Sequence, residues 1–211
     1  MSHNLAIFAS GSGSTAARLI TDLAETFSEL RPILLICNNK SSKVFERVDE
    51  LNSKFDLNIK TECINAIRFP FTDEEKASSG SLSIGAAEEI LNVLKENNID
   101  HITLLGYMKK LSSKIIDLYA DNILNTHPGL LPDTKGLWGI NTQKFVLENN
   151  HKFAGQTLHK VAYEYDEGEI IAENKIKVLS TYTPEILFEK VQEIEKDNIA
   201  KDVANYFLQS R

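Results

Sequence analysis

The chain has 211 residues, of which 42% are hydrophobic and 25% are charged, and its formal net charge at pH 7 is −7. This composition supports one folded domain over residues 1–211 with a full hydrophobic core, and it excludes an intrinsically disordered chain. The negative charge and the lack of a basic tract argue against a protein held on nucleic acid by phosphate neutralisation, and no apolar run is long enough to span a bilayer.

Short apolar runs alternate with amphipathic segments along most of the chain. Strands are predicted at residues 5–10, 32–38, 57–63, 101–107 and 122–127, of which the first, second and fourth are mainly apolar. Segments with apolar residues at helical spacing occupy residues 15–27, 41–55, 83–98, 112–120 and 141–149. Residues 69–81 fit neither pattern and are predicted to form a mobile loop. Alternating strands and helices favour a parallel sheet with right-handed crossovers, in which ligands bind beyond the carboxyl ends of the strands.

The pattern changes in the last part of the chain. Residues 155–166 and 169–178 are typical of two antiparallel strands joined by an Asp-Glu-Gly turn. A final helix is predicted over residues 183–209, with Thr183 as its N-cap and Pro184 at its first helical position. We therefore predict an α/β fold: a Rossmann-like, open, mostly parallel twisted sheet with flanking helices, a C-terminal antiparallel hairpin and a long final helix.

The two cysteines, Cys37 and Cys63, lie in or beside predicted strands. Their spacing is not that of metal ligands, so we predict free thiols in a reducing cytoplasm and no metal site; the alternative is a disulfide. The N-terminus lacks the charged and apolar pattern of a secretory leader, which also favours a cytoplasmic protein.

A glycine-rich turn follows the first predicted strand and opens the first predicted helix. We name residues 11–15, Gly-Ser-Gly-Ser-Thr, the glycine turn. Glycine lets the backbone approach a ligand closely, and a helix N-terminus offers unpaired N–H groups to an anion. A nicotinamide cofactor is disfavoured because the second predicted strand ends in Asn-Asn-Lys instead of an acidic residue, and the ending of an ATP-binding loop is absent. We predict a phosphate monoester held by Gly13, Ser14 and Thr15; the alternative is a plain tight turn with a helix cap.

Asn125 and His127 lie two residues apart at the end of the last predicted parallel strand. Such residues project to the same side of a strand, where polar groups are costly unless they are paired or functional. Asp166, in the predicted hairpin turn, is placed to reach an imidazole. An amide donor, an imidazole and a carboxylate suit acyl transfer, and the lack of a nucleophile turn favours direct transfer. The alternative is a pair of satisfied polar residues at a strand end. Among the other histidines, only His159 is a further candidate.

Several motifs in these segments resemble the folate-dependent formyltransferase family. They are Asn-Thr-His-Pro-Gly-Leu-Leu-Pro at residues 125–132, Leu-Leu-Gly-Tyr-Met-Lys-Lys-Leu-Ser at residues 104–112, and Asp-Glu-Gly at residues 166–168. The resemblance extends from Leu5 to about Val178, and the glycine turn resembles that of the branch acting on glycinamide ribonucleotide. It implies the formyltransferase fold and transfer of a formyl group from 10-formyltetrahydrofolate to the primary amine of that ribonucleotide, in purine biosynthesis.

The resemblance also implies roles for individual residues. The implied catalytic residues are Asn125, His127 and Asp166. The implied binding residues for the phosphorylated amine are Gly13, Ser14, Thr15, Arg68 and Glu195. The implied folate-binding residues are Met108, Lys109, Tyr165 and Asp166. We further expect a phosphate-binding half at residues 1–110, a catalytic and folate-binding half at residues 111–211, and a monomer or homodimer without a nucleic-acid or membrane partner.

Some positions depart from the usual pattern of the family. Gln143 stands where a histidine is usual, Lys109 stands where an arginine is common, and Ile199 with Ala200 replaces an aromatic–proline pair. Glutamine still donates a hydrogen bond but carries no proton, and lysine keeps the charge without the bidentate fork. These departures leave two alternatives open. One is formyl transfer to another small phosphorylated amine or an amino sugar, and the other is a non-catalytic module that binds a phosphorylated ligand.

Overall fold

The computed structural model describes residues 2–75 and 80–209. The strands in these residues are β1 (His3–Ala9), β2 (Leu30–Cys37), β3 (Lys60–Cys63), β4 (His101–Leu105), β5 (Ile123–His127), β6 (Phe153–Lys160) and β7 (Ile170–Lys177). The α-helices in them are α1 (Ser14–Thr26), α2 (Val44–Phe55), α3 (Ile84–Glu96), α4 (Ser113–Tyr119), α5 (Ile140–Glu148) and α6 (Pro184–Gln209). Each predicted strand and helix is present, so the predicted order of elements is confirmed.

The strands form one sheet in the order β3-β2-β1-β4-β5-β6-β7. Strands β1 to β5 pair in parallel, whereas β6 is antiparallel to both β5 and β7. Parallel strands covered on both faces are apolar almost continuously, which is the pattern seen in the sequence. The predicted fold class, including the antiparallel C-terminal hairpin and the long final helix, is confirmed.

Successive residues of β1 contribute to both layers of the core. Leu5 and Ile7 pack with residues of α1, α2 and α6, whereas Ala6 and Phe8 pack with residues of α3 and α4. The side chains of a strand alternate between the faces of its sheet, so a strand buried on both faces is apolar at each position. Because both layers are packed, the carboxyl ends of β1, β4 and β5 have fixed places at one edge of the sheet.

Strand β6 ends at Lys160, although the sequence predicted a strand that continues to Asp166. Asp166 has a φ of 57°, in the left-handed region, which is incompatible with a strand. The N–H of Val161 still donates to the Ile123 carbonyl at 3.0 Å, and the loop at residues 161–169 then leaves the sheet. Asp166 therefore lies on a loop beyond the sheet and not within a tight hairpin.

Helix α6 begins as predicted. Oγ1 of Thr183 accepts a hydrogen bond from the N–H of Ile186 at 3.3 Å, and Pro184 is the first helical residue. The helix packs against α1, α5, β6 and β7. This packing joins the last helix of the chain to the first one, beside the glycine turn.

The predicted mobile loop at residues 69–81 falls partly on residues 76–79, which lie outside the described residues. In the described ranges, no helix is long and apolar enough to cross a membrane. Over the same two ranges, no group of three or more His, Cys, Asp or Glu side chains is placed to hold a metal ion.

Candidate active site

A cavity of about 830 Å³ opens at the carboxyl edge of the sheet. Its wall is formed by the glycine turn, the segments after β4 and β5, the loop at residues 161–169 and one side of α6. The predicted site residues in the wall are Gly13, Ser14, Thr15, Met108, Lys109, Asn125, His127, Tyr165, Asp166 and Glu195. The fold thus brings distant parts of the chain together where α/β sheets usually bind ligands.

Arg68 is the predicted site residue that the structure does not bring to this cavity. Its Nη1 lies 3.4 Å from Oε2 of Glu62, and its Nη2 lies 3.2 Å from Oε1 of Glu89. The guanidinium also lies over the ring of Phe69, with Cζ 5.1 Å from the ring centroid. Two carboxylates therefore hold the guanidinium outside the cavity wall, and a contact between Arg68 and substrate stays a prediction.

The glycine turn is shaped by one glycine. Gly13 precedes α1 with a φ of 73°, and a Cβ at this position would lie 2.2 Å from Cγ2 of Val44. Both facts require glycine. Ser14 and Thr15 form the first turn of α1, which carries no acidic residue. The unpaired N–H groups and partial positive charge of this helix start suit an anion.

Asn125 on β5 is paired across the antiparallel ladder with His159 on β6. Nδ1 of His159 lies 2.8 Å from the Lys160 carbonyl oxygen, and its Nε2 lies 3.0 Å from Nδ2 of Asn125. Because a carbonyl only accepts, Nδ1 carries the proton and Nε2 accepts a hydrogen bond from the Asn125 amide. Burial lowers the pKa of His159, which favours this neutral form of the imidazole.

His127 is held from both sides of its ring. Its Nε2 lies 3.0 Å from the carbonyl oxygen and 3.0 Å from the hydroxyl oxygen of Thr134. The Thr134 hydroxyl donates to the Leu130 carbonyl at 3.0 Å, so both Thr134 oxygens act as acceptors and Nε2 carries a proton. Nδ1 faces Oδ2 of Asp166 at 3.5 Å. The buried ring therefore has a single orientation, with Nδ1 towards the carboxylate.

Asp166 supplies a carboxylate beside His127 and His159. The N–H of Gly136 donates to its Oδ2 at 2.9 Å, and its Oδ1 lies 3.7 Å from Nε2 of His159. Burial by itself raises the pKa of Asp166, but the neighbouring His127 ring, the N–H of Gly136 and the positive charge that both imidazoles carry in acid lower it overall. The carboxyl is therefore ionised at neutral pH. We name Asn125, His127, His159 and Asp166 the polar corner.

Glu195 connects α6 to the glycine turn. Its Oε2 lies 3.4 Å from Oγ1 of Thr15. Burial raises the pKa of Glu195, and the hydroxyls of Thr126 and Thr15 offset only part of that effect. A carboxyl whose pKa is shifted by burial in a cavity wall is characteristic of functional sites.

Two buried residues that support the site were not recognised from the sequence. Thr134 holds Nε2 of His127, and Gln143 donates from Nε2 to the Pro128 carbonyl at 2.8 Å. Threonine in a proline-containing loop carries no local signal for such a role. Gln143 was noticed only as a departure from a family pattern, yet it holds the loop that follows β5. His159 was noticed as facing the site, but its pairing with Asn125 depends on the register of β6.

The polar corner and the glycine turn suit different parts of one reaction. The corner offers amide and imidazole donors to a developing negative charge, and a carboxylate that can accept a proton. Neither Cys37 nor Cys63 lies in the cavity wall that the structure describes. The chemistry that fits is acyl transfer to a ligand whose anionic group lies on the glycine turn.

Residues 3–203 of the chain match the family model described as Formyl transferase. The chain is 31% identical over 189 residues to the chloroplastic phosphoribosylglycinamide formyltransferase of Arabidopsis thaliana, an alignment that covers 89% of this chain and 59% of that protein. The chain therefore spans little more than half the length of this plant relative. It is 29% identical over 191 residues to the phosphoribosylglycinamide formyltransferase of Bacillus subtilis, which covers 90% of this chain and 87% of that protein.

The fold is similar to that of a solved structure that has the same name as these two relatives. The crystal structure of phosphoribosylglycinamide formyltransferase from Bacillus halodurans matches with a TM-score of 0.82 at 28% identity. The match covers 99% of this chain and 97% of that one. The similarity therefore includes both the parallel part of the sheet and the C-terminal hairpin.

Proposed function

The chain belongs to the formyl transferase family, and we propose that it transfers the formyl group of 10-formyltetrahydrofolate to the primary amine of glycinamide ribonucleotide. Two relatives whose names state this activity, one in a plant and one in a bacterium, support the proposal. The observation that carries it is that the polar corner and the glycine turn lie in the wall of one cavity. Glycinamide ribonucleotide has an amine that can react at the polar corner and a phosphate that can bind at the glycine turn.

The two substrates take different parts of the cavity. The phosphate lies on the glycine turn, and Glu195 lies near the ribose and the amine. The folate lies against Met108 and Tyr165, whose side chains are 50% and 51% exposed and so leave apolar surface for a flat ligand. Lys109 offers positive charge to the folate carboxylates. In this proposal residues 1–110 bind the phosphate, and residues 111–211 supply the polar corner.

The reaction begins when the amine attacks the formyl carbon, so that a C–N bond forms and the formyl oxygen becomes negative. Asn125 has a second N–H besides the one that it donates to His159, and it donates this N–H to the oxyanion. Nδ1 of His127 lies 3.5 Å from Asp166, beyond the roughly 2.7–2.9 Å of a charge-assisted hydrogen bond. In this proposal the imidazole of His127 donates from Nδ1 to the same oxyanion, beside the Asp166 carboxylate.

Asp166 transfers the proton that the amine loses. As an ionised carboxylate it accepts the proton that the attacking amine loses, directly or through water. That proton passes to N10 of the folate as the bond between N10 and the formyl carbon breaks. The products are the N-formylated amine and tetrahydrofolate, and no bond to the protein forms at any stage.

A spectrophotometric assay tests this function. The purified protein is mixed with 10-formyl-5,8-dideazafolate and glycinamide ribonucleotide, and release of 5,8-dideazafolate is followed with an amine-free reaction beside it. We expect release only when the amine is present. Equal release in both reactions would identify a hydrolase instead. Binding of the folate analogue without release would favour a different amine acceptor, and no binding would favour the non-catalytic phosphate-binding module.

A further inference from the structure

Trp138 is the only tryptophan in the sequence, and it lies in the cavity wall with 62% of its surface exposed. Aromatic side chains of this size usually bury much of their surface, in a core or against a ligand. Neither the polar corner nor the glycine turn uses the indole. An exposed indole inside a cavity is therefore a contact surface without an assigned ligand.

The indole is carried on a short segment between two glycines, residues 136–139, which we name the indole arm. Gly136 has a φ of 74° and Gly139 a φ of 56°, both in the left-handed region. Among residues 2–75 and 80–209, nothing lies within 4 Å of the position that a Cβ would occupy at either glycine. The ends of the arm therefore adopt backbone conformations that favour glycine, with open space beside them.

One end of the indole arm is anchored to the site and the other to a helix. The N–H of Gly136 donates to Oδ2 of Asp166 at 2.9 Å, and the ammonium of Lys135 pairs with the carboxylate of Glu167. At the other end, Gly139 is the N-cap of α5. The position of the arm is therefore linked through one hydrogen bond to the carboxylate of the polar corner.

We infer that Trp138 is a substrate-contact residue whose indole stacks on the conjugated rings of the formyl donor, an inference that rests on the proposed function. Of the two proposed substrates, only the folate carries flat conjugated rings. Glycinamide ribonucleotide consists of an aliphatic amide, a ribose and a phosphate, which offer an indole no ring to stack on. Aromatic stacking favours offset or edge-to-face pairs and corresponds to roughly a 2- to 13-fold change in affinity.

Fluorine NMR tests the contact directly. Protein grown with 5-fluorotryptophan gives a ¹⁹F resonance that reports on position 138 alone, because the sequence has one tryptophan. We expect 10-formyl-5,8-dideazafolate to shift this resonance in a saturable titration. Glycinamide ribonucleotide added alone should leave it in place.

Steady-state kinetics give a second readout. Trp138→Ala should raise KM for the folate analogue roughly 3- to 10-fold, with KM for the amine unchanged, and Trp138→Phe should restore most of the loss. Phe153→Ala is the matched control, since this aromatic residue is 52% exposed at the start of β6 and does not line the cavity. Its kinetic constants should equal those of the unmodified protein.

Two results would overturn the inference and are distinguishable from each other. An unmoved ¹⁹F resonance in a sample that turns over the analogue would remove Trp138 from the folate contact and leave the proposed function intact. No turnover, together with no binding of the analogue by calorimetry, would overturn both.

Discussion

The glycine turn and the polar corner share one cavity but are built in different ways. The turn uses the backbone: the left-handed φ of Gly13 and the N–H groups of a helix start are suited to an anion. The corner uses side chains, in which Asn125, His127, His159 and Asp166 hold one another at 3.0 to 3.7 Å. A backbone site binds whatever anion fits, whereas a side-chain network sets the protonation of each member. Substitutions in the corner should therefore change turnover, and substitutions in the turn should change affinity.

The largest effect is expected for Asp166→Asn, which keeps the shape of the side chain and removes its charge. The amide cannot accept the proton of the attacking amine, so kcat should fall by roughly 10²- to 10⁴-fold. Steady-state kinetics with saturating substrates measure this. Glu189→Gln, on the exposed side of α6, is the control and should leave kcat unchanged. Turnover close to normal in Asp166→Asn would contradict the proposed proton path.

The second largest effect is expected for Asn125→Ala. This change removes a donor to the oxyanion, and kcat should fall by roughly 10²- to 10³-fold. Binding of 10-formyl-5,8-dideazafolate, measured by calorimetry, should stay close to that of the unmodified protein. If affinity fell while kcat stayed the same, Asn125 would be a binding residue and the polar corner would not act as a unit.

Gly13→Ala should act on affinity instead. A residue with a Cβ is strained at a φ of 73° and contacts Val44, so the variant should lose about 1–3 kcal/mol in the free energy of unfolding. KM for the phosphorylated amine should rise, with a much smaller change in kcat. Gly85→Ala is the control, because its Cβ would make only an ordinary contact at 3.7 Å from Cδ1 of Phe69. A fall in kcat with an unchanged KM would remove the distinction between turn and corner.

The smallest effect concerns pH and Glu195, which lies between the two regions. Because burial raises its pKa, the folded state keeps a proton that the unfolded state releases. The stability from this group is complete below the unfolded pKa and is lost as the pH rises through the folded pKa. Urea unfolding from about pH 4 to about pH 8 should therefore show Glu195→Gln gaining stability relative to the unmodified protein. A difference that is constant with pH would contradict the raised pKa.

The two regions also differ in how far the sequence could predict them. The glycine turn consists of adjacent residues, so its place between a strand and a helix is a local pattern. Asn125 and His127 could be paired because strand geometry puts residues two apart on one side. The contact between Asn125 and His159 could be predicted only from the antiparallel register of β5 and β6. Thr134 accepts from Nε2 of His127, and this contact could be predicted only from the path of the loop that carries Thr134.

Arg68 is a predicted site residue that lies apart from the cavity wall. Its position in the sequence suggested a role at the phosphate, but its guanidinium pairs with Glu62 on β3 and Glu89 on α3. Those partners come together only when α3 packs on the sheet, which no local pattern reveals. The hairpin is a similar case, because β6 ends at Lys160 and Asp166, with its left-handed φ, lies on the loop beyond it.

The most direct test of the central claim follows the formyl carbon itself. A formyl donor labelled with ¹³C at the formyl group is incubated with the protein, with and without glycinamide ribonucleotide, and the label is followed by ¹³C NMR. The account predicts that the label appears in the formamide of the ribonucleotide, and only when the amine is present. Label released as formate at equal rates in both samples would contradict it.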